Sequence, residues 1–298
     1  MILLISLTEP FGYEFFRHAL LAATMVGALT GLVGTYVVLR KMSYIGHGMS
    51  HSVFGGAVVG YVAGINFYIA AGIWGFLSAL LINATTRRRQ IGADAAIGIV
   101  TTASFALGVA LISRAKSVTR NFEAALFGNL LGVTTTDIFV IAGVLAATVL
   151  VVFFMYKQLL FLTFDPDVAP IYGVRSGWVD SIFALVLAAT IIASIRIMGV
   201  TLIAASLVIP PVIARLLTDR FAMMLVVSSL VGAFAAFTGL FISYYVDIAS
   251  GASIVLFSAG LFVLTVLYAS VRQWIRTGRP ALATDEIPSG ERAGAAFD

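Results

Sequence analysis

Two histidines stand four residues apart in the stretch GHGMSHSVFGG, at His47 and His51. On a helix this spacing sets both imidazoles on one face, one turn apart. Neutral imidazole nitrogen is a common ligand for divalent first-row metals. Two such rings can hold one ion if oxygen ligands come from elsewhere. The pair reads equally well as core histidines, bonded to carbonyls or to each other. Asp247, in SYYVDIASGASIVL, is the candidate oxygen ligand. A lone aspartate at a helix end also serves as a cap for the next helix. A mixed nitrogen and oxygen set suits Mn, Fe or Zn better than Cu(I), and it speaks against a purely structural zinc.

Other chemistries fail at the level of residue type. The chain has no cysteine, so disulfides, zinc ribbons and thiolate chemistry are excluded. Its three lysines are Lys41, Lys116 and Lys157, and none follows a glycine. There is thus no G-x-x-x-x-G-K-[ST] phosphate loop. H-E-x-x-H and G-x-S-x-G are also missing. Ser113 and Lys116 match S-x-x-K by chance, without S-D-N or K-T-G. An intramembrane metal-dependent protease using the same histidines would lack a general base at motif spacing.

The elements that carry these residues follow from composition. Of 298 residues, 60% are hydrophobic and 11% are charged. A soluble domain has about 25% charged residues, so this chain could not cover a soluble surface. A spanning helix needs ~20 apolar residues, which bounds the chain at about nine spans. The expected fold is an all-α integral membrane protein, a polytopic bundle of eight to nine helices. Spans are expected near 15–39, 47–64, 67–86, 93–112, 135–156, 179–195, 198–217, 221–246 and 251–270. The span 47–64 is the one that could instead be re-entrant. The runs are continuous rather than alternating, which excludes a transmembrane barrel. Residues 1–14 form an N-terminal segment without the basic start of a cleavable signal. Residues 15–272 form the membrane domain, and 273–298 a polar tail expected to be disordered.

Lysine and arginine orient the bundle. Alternate breaks hold thirteen basic residues on one side, among them Arg40, Lys41, Arg87, Arg88, Arg89, Lys157, Arg175, Arg215 and Arg220. The other side holds five: Arg17, Arg114, Lys116, Arg120 and Arg196. The positive-inside rule puts the first set in the cytoplasm, with the N-terminus outside and the C-terminus inside. The net charge of +4 is thus an orientation signal and not a nucleic-acid footprint. Loop 113–134 falls outside, with Phe122, Leu126 and Phe127 on one helical face; loop 157–179 falls inside.

Small residues recur at packing spacing: Gly27 and Gly31, then Gly56, Gly60 and Gly64. Such spacing lets helix backbones approach closely in lipid, or lets two helices slide. Pro210 and Pro211 interrupt a span, as a kink or as a broken helix beside a pathway. Asp94 and Asp137 sit near span ends and read as caps or interface charges.

Several stretches together resemble the permeases of bacterial ABC importers for manganese, zinc and iron, the ABC-3 family. They are LRKMSYIGHGMSHSVFGGA, ADAAIGIV, ALFGNLLGV, LTFDPDVAPIYGV, LIAASLVIPPVIA and SGASIVLFSAG, in that order between residues 15 and 272. AKSVT and LFGN look most like the manganese branch. The resemblance implies a type II importer fold in the bacterial plasma membrane. It implies a second copy of the chain, a cytoplasmic ATPase dimer and an extracytoplasmic metal-binding protein as partners. It implies no resident cofactor, with Mn2+, Zn2+ or Fe2+ as cargo. Phe164, Asp165, Pro166, Asp167, Ala169, Tyr172 and Gly173 match the family's coupling helix, which touches the ATPase. The family commonly has Asp where His47 stands here, and a match at His51. Imidazole for carboxylate favours later metals such as Zn over Mn. A stand-alone secondary transporter or channel is the rival reading, and it would not need the coupling segment.

Overall fold

The computed structural model describes residues 8–87, 93–114, 128, 132–166 and 168–277. Among these residues are nine α-helices and no strand. They are α1 (Glu14–Leu39), α2 (Ser43–Val62), α3 (Phe67–Arg87), α4 (Ala93–Arg114), α5 (Thr135–Phe154), α6 (Tyr156–Phe164), α7 (Ser176–Leu217), α8 (Phe221–Val246) and α9 (Ser250–Thr277). Short 3-10 turns cover Glu9–Gly12 and Ala169–Tyr172. Long apolar runs become helices because lipid offers no partner to backbone N–H and C=O groups, and a helix satisfies them within the segment. Seven of the helices are long and apolar enough to cross a membrane. The count takes α7 once and omits the glycine- and serine-rich α2.

The 42 residues of α7 cross twice. Arg40 Nη1 donates to Asp180 Oδ1, and Tyr36 packs on Phe183. Residues 176–198 therefore run antiparallel to α1. Further on, Thr30 and Ser206 share a hydrogen bond, and Gly34 abuts the Leu207 carbonyl and Pro211. Residues 200–217 therefore run parallel to α1. The chain reverses between them at Gly199, with φ 72° and ψ 161°. That backbone region is essentially closed to residues with a Cβ. The reversal exposes carbonyls, and Ser250 Oγ donates to the one at Ile197. The two expected spans thus exist, but one residue rather than a loop joins them. With α2 counted and α7 taken as two arms, the described residues hold nine helical runs of 18 residues or more.

The interruption expected at Pro210 and Pro211 falls instead at Gly199. Both prolines lie inside a helical run. Each removes one N–H, leaving the carbonyls of Ser206 and Leu207 without a helical donor, yet the backbone continues because α1 packs tightly there. The glycines divide as well. A Cβ at Gly27 would overlap the Gly232 carbonyl, and one at Gly31 the Ser228 carbonyl. Ser228 Oγ donates to Gly31 O at 2.7 Å, so α1 and α8 meet backbone to backbone. Gly56 and Gly60 lie against Trp74 and Ala70 of α3. Gly64 is not a packing residue: nothing lies within 4 Å of its would-be Cβ, and its φ of 70° ends α2.

Aromatic rings close both ends. Phe221 touches Tyr36, Tyr156 and Phe164 at the inner end. Phe16 touches Phe241 and Tyr244 at the outer end. Helix α9 continues past the expected boundary at 272, to Thr277. The start at 1–7, Arg88, Arg89, Lys116, Arg120, Phe122, Leu126, Phe127, Asp167 and the tail from 278 lie outside the described residues.

Candidate functional site

Helix α2 carries the histidine pair. Its first turn begins at Ser43 on the inner side, where Lys41 takes φ 56° to turn the chain back from α1. Gly48 lies against Ile97 and Thr101 of α4, which sets the helix depth. His47 is exposed in the single chain and His51 is half-buried. Their Nε2 atoms face each other at 3.2 Å, with ring centroids 4.6 Å apart at 82°. His51 also packs edge-on against Phe105 at 4.6 Å. Its Nδ1 is buried without a hydrogen-bond partner among the described residues, so packing holds the ring. At a metal–nitrogen distance of about 2.05 Å, two nitrogens 3.2 Å apart subtend about 100° at one ion. That angle suits tetrahedral or octahedral coordination, with the remaining ligands supplied by water or other groups.

Asp247 does not join them within one chain. It follows α8 at the outer end in the left-handed conformation, φ 56° and ψ 47°. His51 lies eleven residues below the outer end of α2, about 17 Å of helical rise. Among the described residues, no group of three or more His, Asp or Glu side chains is placed to hold a metal. Within one chain, His47 and His51 therefore stand together without Asp247.

Loop 157–179 is helix α6 followed by a 3-10 turn. Asp165 Oδ1 accepts from Val168 N–H at 3.2 Å, and the Asp165 carbonyl accepts from Ala169 N–H at 3.1 Å. Gly173 closes the turn with φ 76°. Ala169 is fully buried, whereas Ile171 is 81% exposed and Tyr172 68%. Phe164 is exposed too, and Phe161 stacks on Tyr172 at 5.2 Å. The segment thus presents apolar side chains on the inner side.

Two ion pairs escaped the sequence reading. At the outer end, Asp137 is buried and forms a capping box with Thr134. It also accepts from Tyr68 Oη, and from Arg196 Nη1 at 3.1 Å. Arg196 lies over the rings of Phe67 and Tyr68. At the inner end, Arg40 pairs with Asp180 at 3.0 Å, donates from Nε to Thr163, and sits 4.5 Å above the Phe183 ring. In the sequence, Arg40 and Arg196 stand out only as orientation charges. An acid and a base within apolar runs are the available signal, but partners 59 and 140 residues apart are not visible in one sequence. Asp94 lies in the first turn of α4, and its side chain is outside the described residues.

A family model, the ABC 3 transport family, matches residues 12–269. The chain belongs to that family. It is a multi-pass permease of the bacterial plasma membrane. It is 36% identical to the manganese transport system membrane protein MntC of Halalkalibacterium halodurans, over 86% of this chain and 88% of that one. It is 33% identical to the chelated iron transport system membrane protein YfeD of Yersinia pestis, over 89% of each. The solved structure of PsaBC from Streptococcus pneumoniae in complex with Fab superposes with a TM-score of 0.82 at 34% identity. That match covers 92% of this chain and 99% of the other. The permease is a bundle of membrane helices, and its sequence carries no G-x-x-x-x-G-K-[ST] phosphate loop.

Proposed function

We propose that this permease carries a divalent transition metal ion inward, Mn2+ foremost, with Zn2+ or Fe2+ as alternatives. The supporting observation is the pair of Nε2 atoms of His47 and His51, 3.2 Å apart on the exposed side of α2. Relatives named for manganese and for chelated iron transport support the cargo class. Two copies of the chain enclose the pathway. An extracytoplasmic binding protein delivers the ion at the outer end, where Asp247 stands. A cytoplasmic ATPase pair docks on the exposed residues around Ala169–Tyr172 and drives alternating access. Two imidazoles make an incomplete shell, which suits an ion that must leave again.

The test replaces His47 and His51 together by alanine. Metal uptake should be abolished while the variant assembles with its ATPase at wild-type yield. Normal uptake would remove the pair from the pathway.

A further inference from the structure

A cavity of about 600 Å3 lies between α1, α2, α3, α4 and the first arm of α7. It sits on the side of α2 away from the histidines. Ile45 and Met49 line it, and 100° per residue turns His47 and His51 to the opposite side of the helix. Its lining is graded along α7. Ser176 and Asp180 mark the inner end, with Arg40 and Asn83 beside them; Phe183 and Leu187 lie deeper. From Ser176 to Leu187 is about 17 Å of helical rise. Away from the polar end the walls are apolar, with Ile82 and Ile97 opposite.

The polar end has unused donors. The Arg40 side chain is 8% exposed. Nη1 is held by Asp180 and Nε by Thr163, while Nη2 is buried with no partner among the described residues. Ser176 Oγ is buried and unpartnered in the same way. Ser176 is also the first residue of α7, whose N-cap, Arg175, makes no side-chain capping bond. A guanidinium edge, a hydroxyl and the positive end of a helix therefore converge on one end of an apolar slot. Buried donors of this kind are costly to leave unpaired.

We propose that this cavity binds an anionic lipid of the cytoplasmic leaflet. Its acidic headgroup accepts from Arg40 Nη2 and Ser176 Oγ, and one acyl chain enters past Ala184, which is only half-buried. The position fits, because the polar end lies among the basic residues of the cytoplasmic face, including Lys41 and Arg175, where anionic headgroups concentrate. The graded lining favours a lipid over a free anion, which has no use for the apolar depth. The bound lipid would tie the inner end of α1 to the start of α7.

The test uses the full chain in nanodiscs of phosphatidylglycerol or of phosphatidylcholine alone, read by native mass spectrometry and thermal unfolding. Wild type should retain one phosphatidylglycerol and unfold several degrees higher in that lipid than in phosphatidylcholine. Arg40→Gln should lose both effects, but it also disturbs Asp180. Ala184→Phe obstructs the slot and leaves Arg40, Asp180 and Ser176 in place. It should lose the retained lipid while unfolding in phosphatidylcholine at the wild-type temperature. Equal retention in Ala184→Phe, or no difference between the two lipids, overturns the proposal. So does full stabilisation in phosphatidylcholine by millimolar inorganic phosphate, which would mark a free-anion site.

Discussion

Arg196 Nη1 lies 3.1 Å from Asp137 Oδ2 at the outer end of the bundle, tying the last turn of the first α7 arm to the first turn of α5. Both charges also answer helix dipoles, a base at a C-terminus and an acid at an N-terminus. Asp137 is 1% exposed, so removing its partner strands a buried carboxylate. Removing one member of a buried pair costs about 3–5 kcal/mol. Arg196 is 37% exposed, and water near it brings the expected loss to about 1–3 kcal/mol. Arg196→Gln should therefore lower the unfolding temperature in detergent. Asp137→Asn keeps hydrogen bonds to Tyr68 and Thr134 and should cost less. The double variant should be no less stable than Arg196→Gln. A double variant that simply adds the two losses would mean that the pair is not coupled.

The donor set at the histidine pair sets metal preference. His47→Asp keeps one imidazole and adds a carboxylate, a harder ligand that favours Mn over Zn. Competition uptake with both ions should show a higher Mn-to-Zn ratio than wild type. His51→Ala leaves one ligand and should reduce uptake of both. An unchanged ratio in His47→Asp would show that selection happens elsewhere, for example on the delivering protein.

Close approach separates the two kinds of glycine. At Gly27 a side chain meets the Gly232 carbonyl, and neither backbone can yield without parting α1 from α8. Gly27→Leu should destabilise by at least about 1–3 kcal/mol through overpacking. Gly64 has open space, and only its positive φ of 70° resists a side chain. Gly64→Ala should cost about 1 kcal/mol, and Gly64→Asn less, because Asn tolerates that conformation. Detergent unfolding of the three variants checks the order.

The spans were legible because lipid forces continuous apolar helices, and that constraint acts residue by residue along the chain. The histidine pair was legible for the same reason, since its spacing is local. The boundary between the two arms of α7 was legible, because Arg196 separates the expected spans 179–195 and 198–217, but the reversal at the single residue Gly199 was not. One residue in an unusual φ/ψ region leaves no compositional trace, while Pro210 and Pro211 leave a strong one and break nothing. Asp247 stands apart from the pair within one chain for a different reason. Height in the membrane depends on helix order and packing, which set α8 against α1 and put Asp247 at the outer end.

The exposed turn at Ala169–Tyr172 separates docking from folding. Ile171 and Tyr172 project their apolar surface outward, so charging them leaves the core of the bundle intact. Ile171→Glu with Tyr172→Glu should abolish co-purification with the ATPase and abolish uptake. The unfolding temperature should fall only slightly, because the main contact given up is the stack of Tyr172 on Phe161, worth about 0.5–1.5 kcal/mol. Ala169 lies beneath the turn with no exposed surface, so Ala169→Glu buries a charge and should unfold the segment. Limited proteolysis in the 157–175 region tells the two cases apart. The double variant should resist cleavage as wild type does, and Ala169→Glu should be cut. If the double variant still transports metal, the segment is not where the ATPase couples, and the rival reading of a stand-alone transporter gains ground.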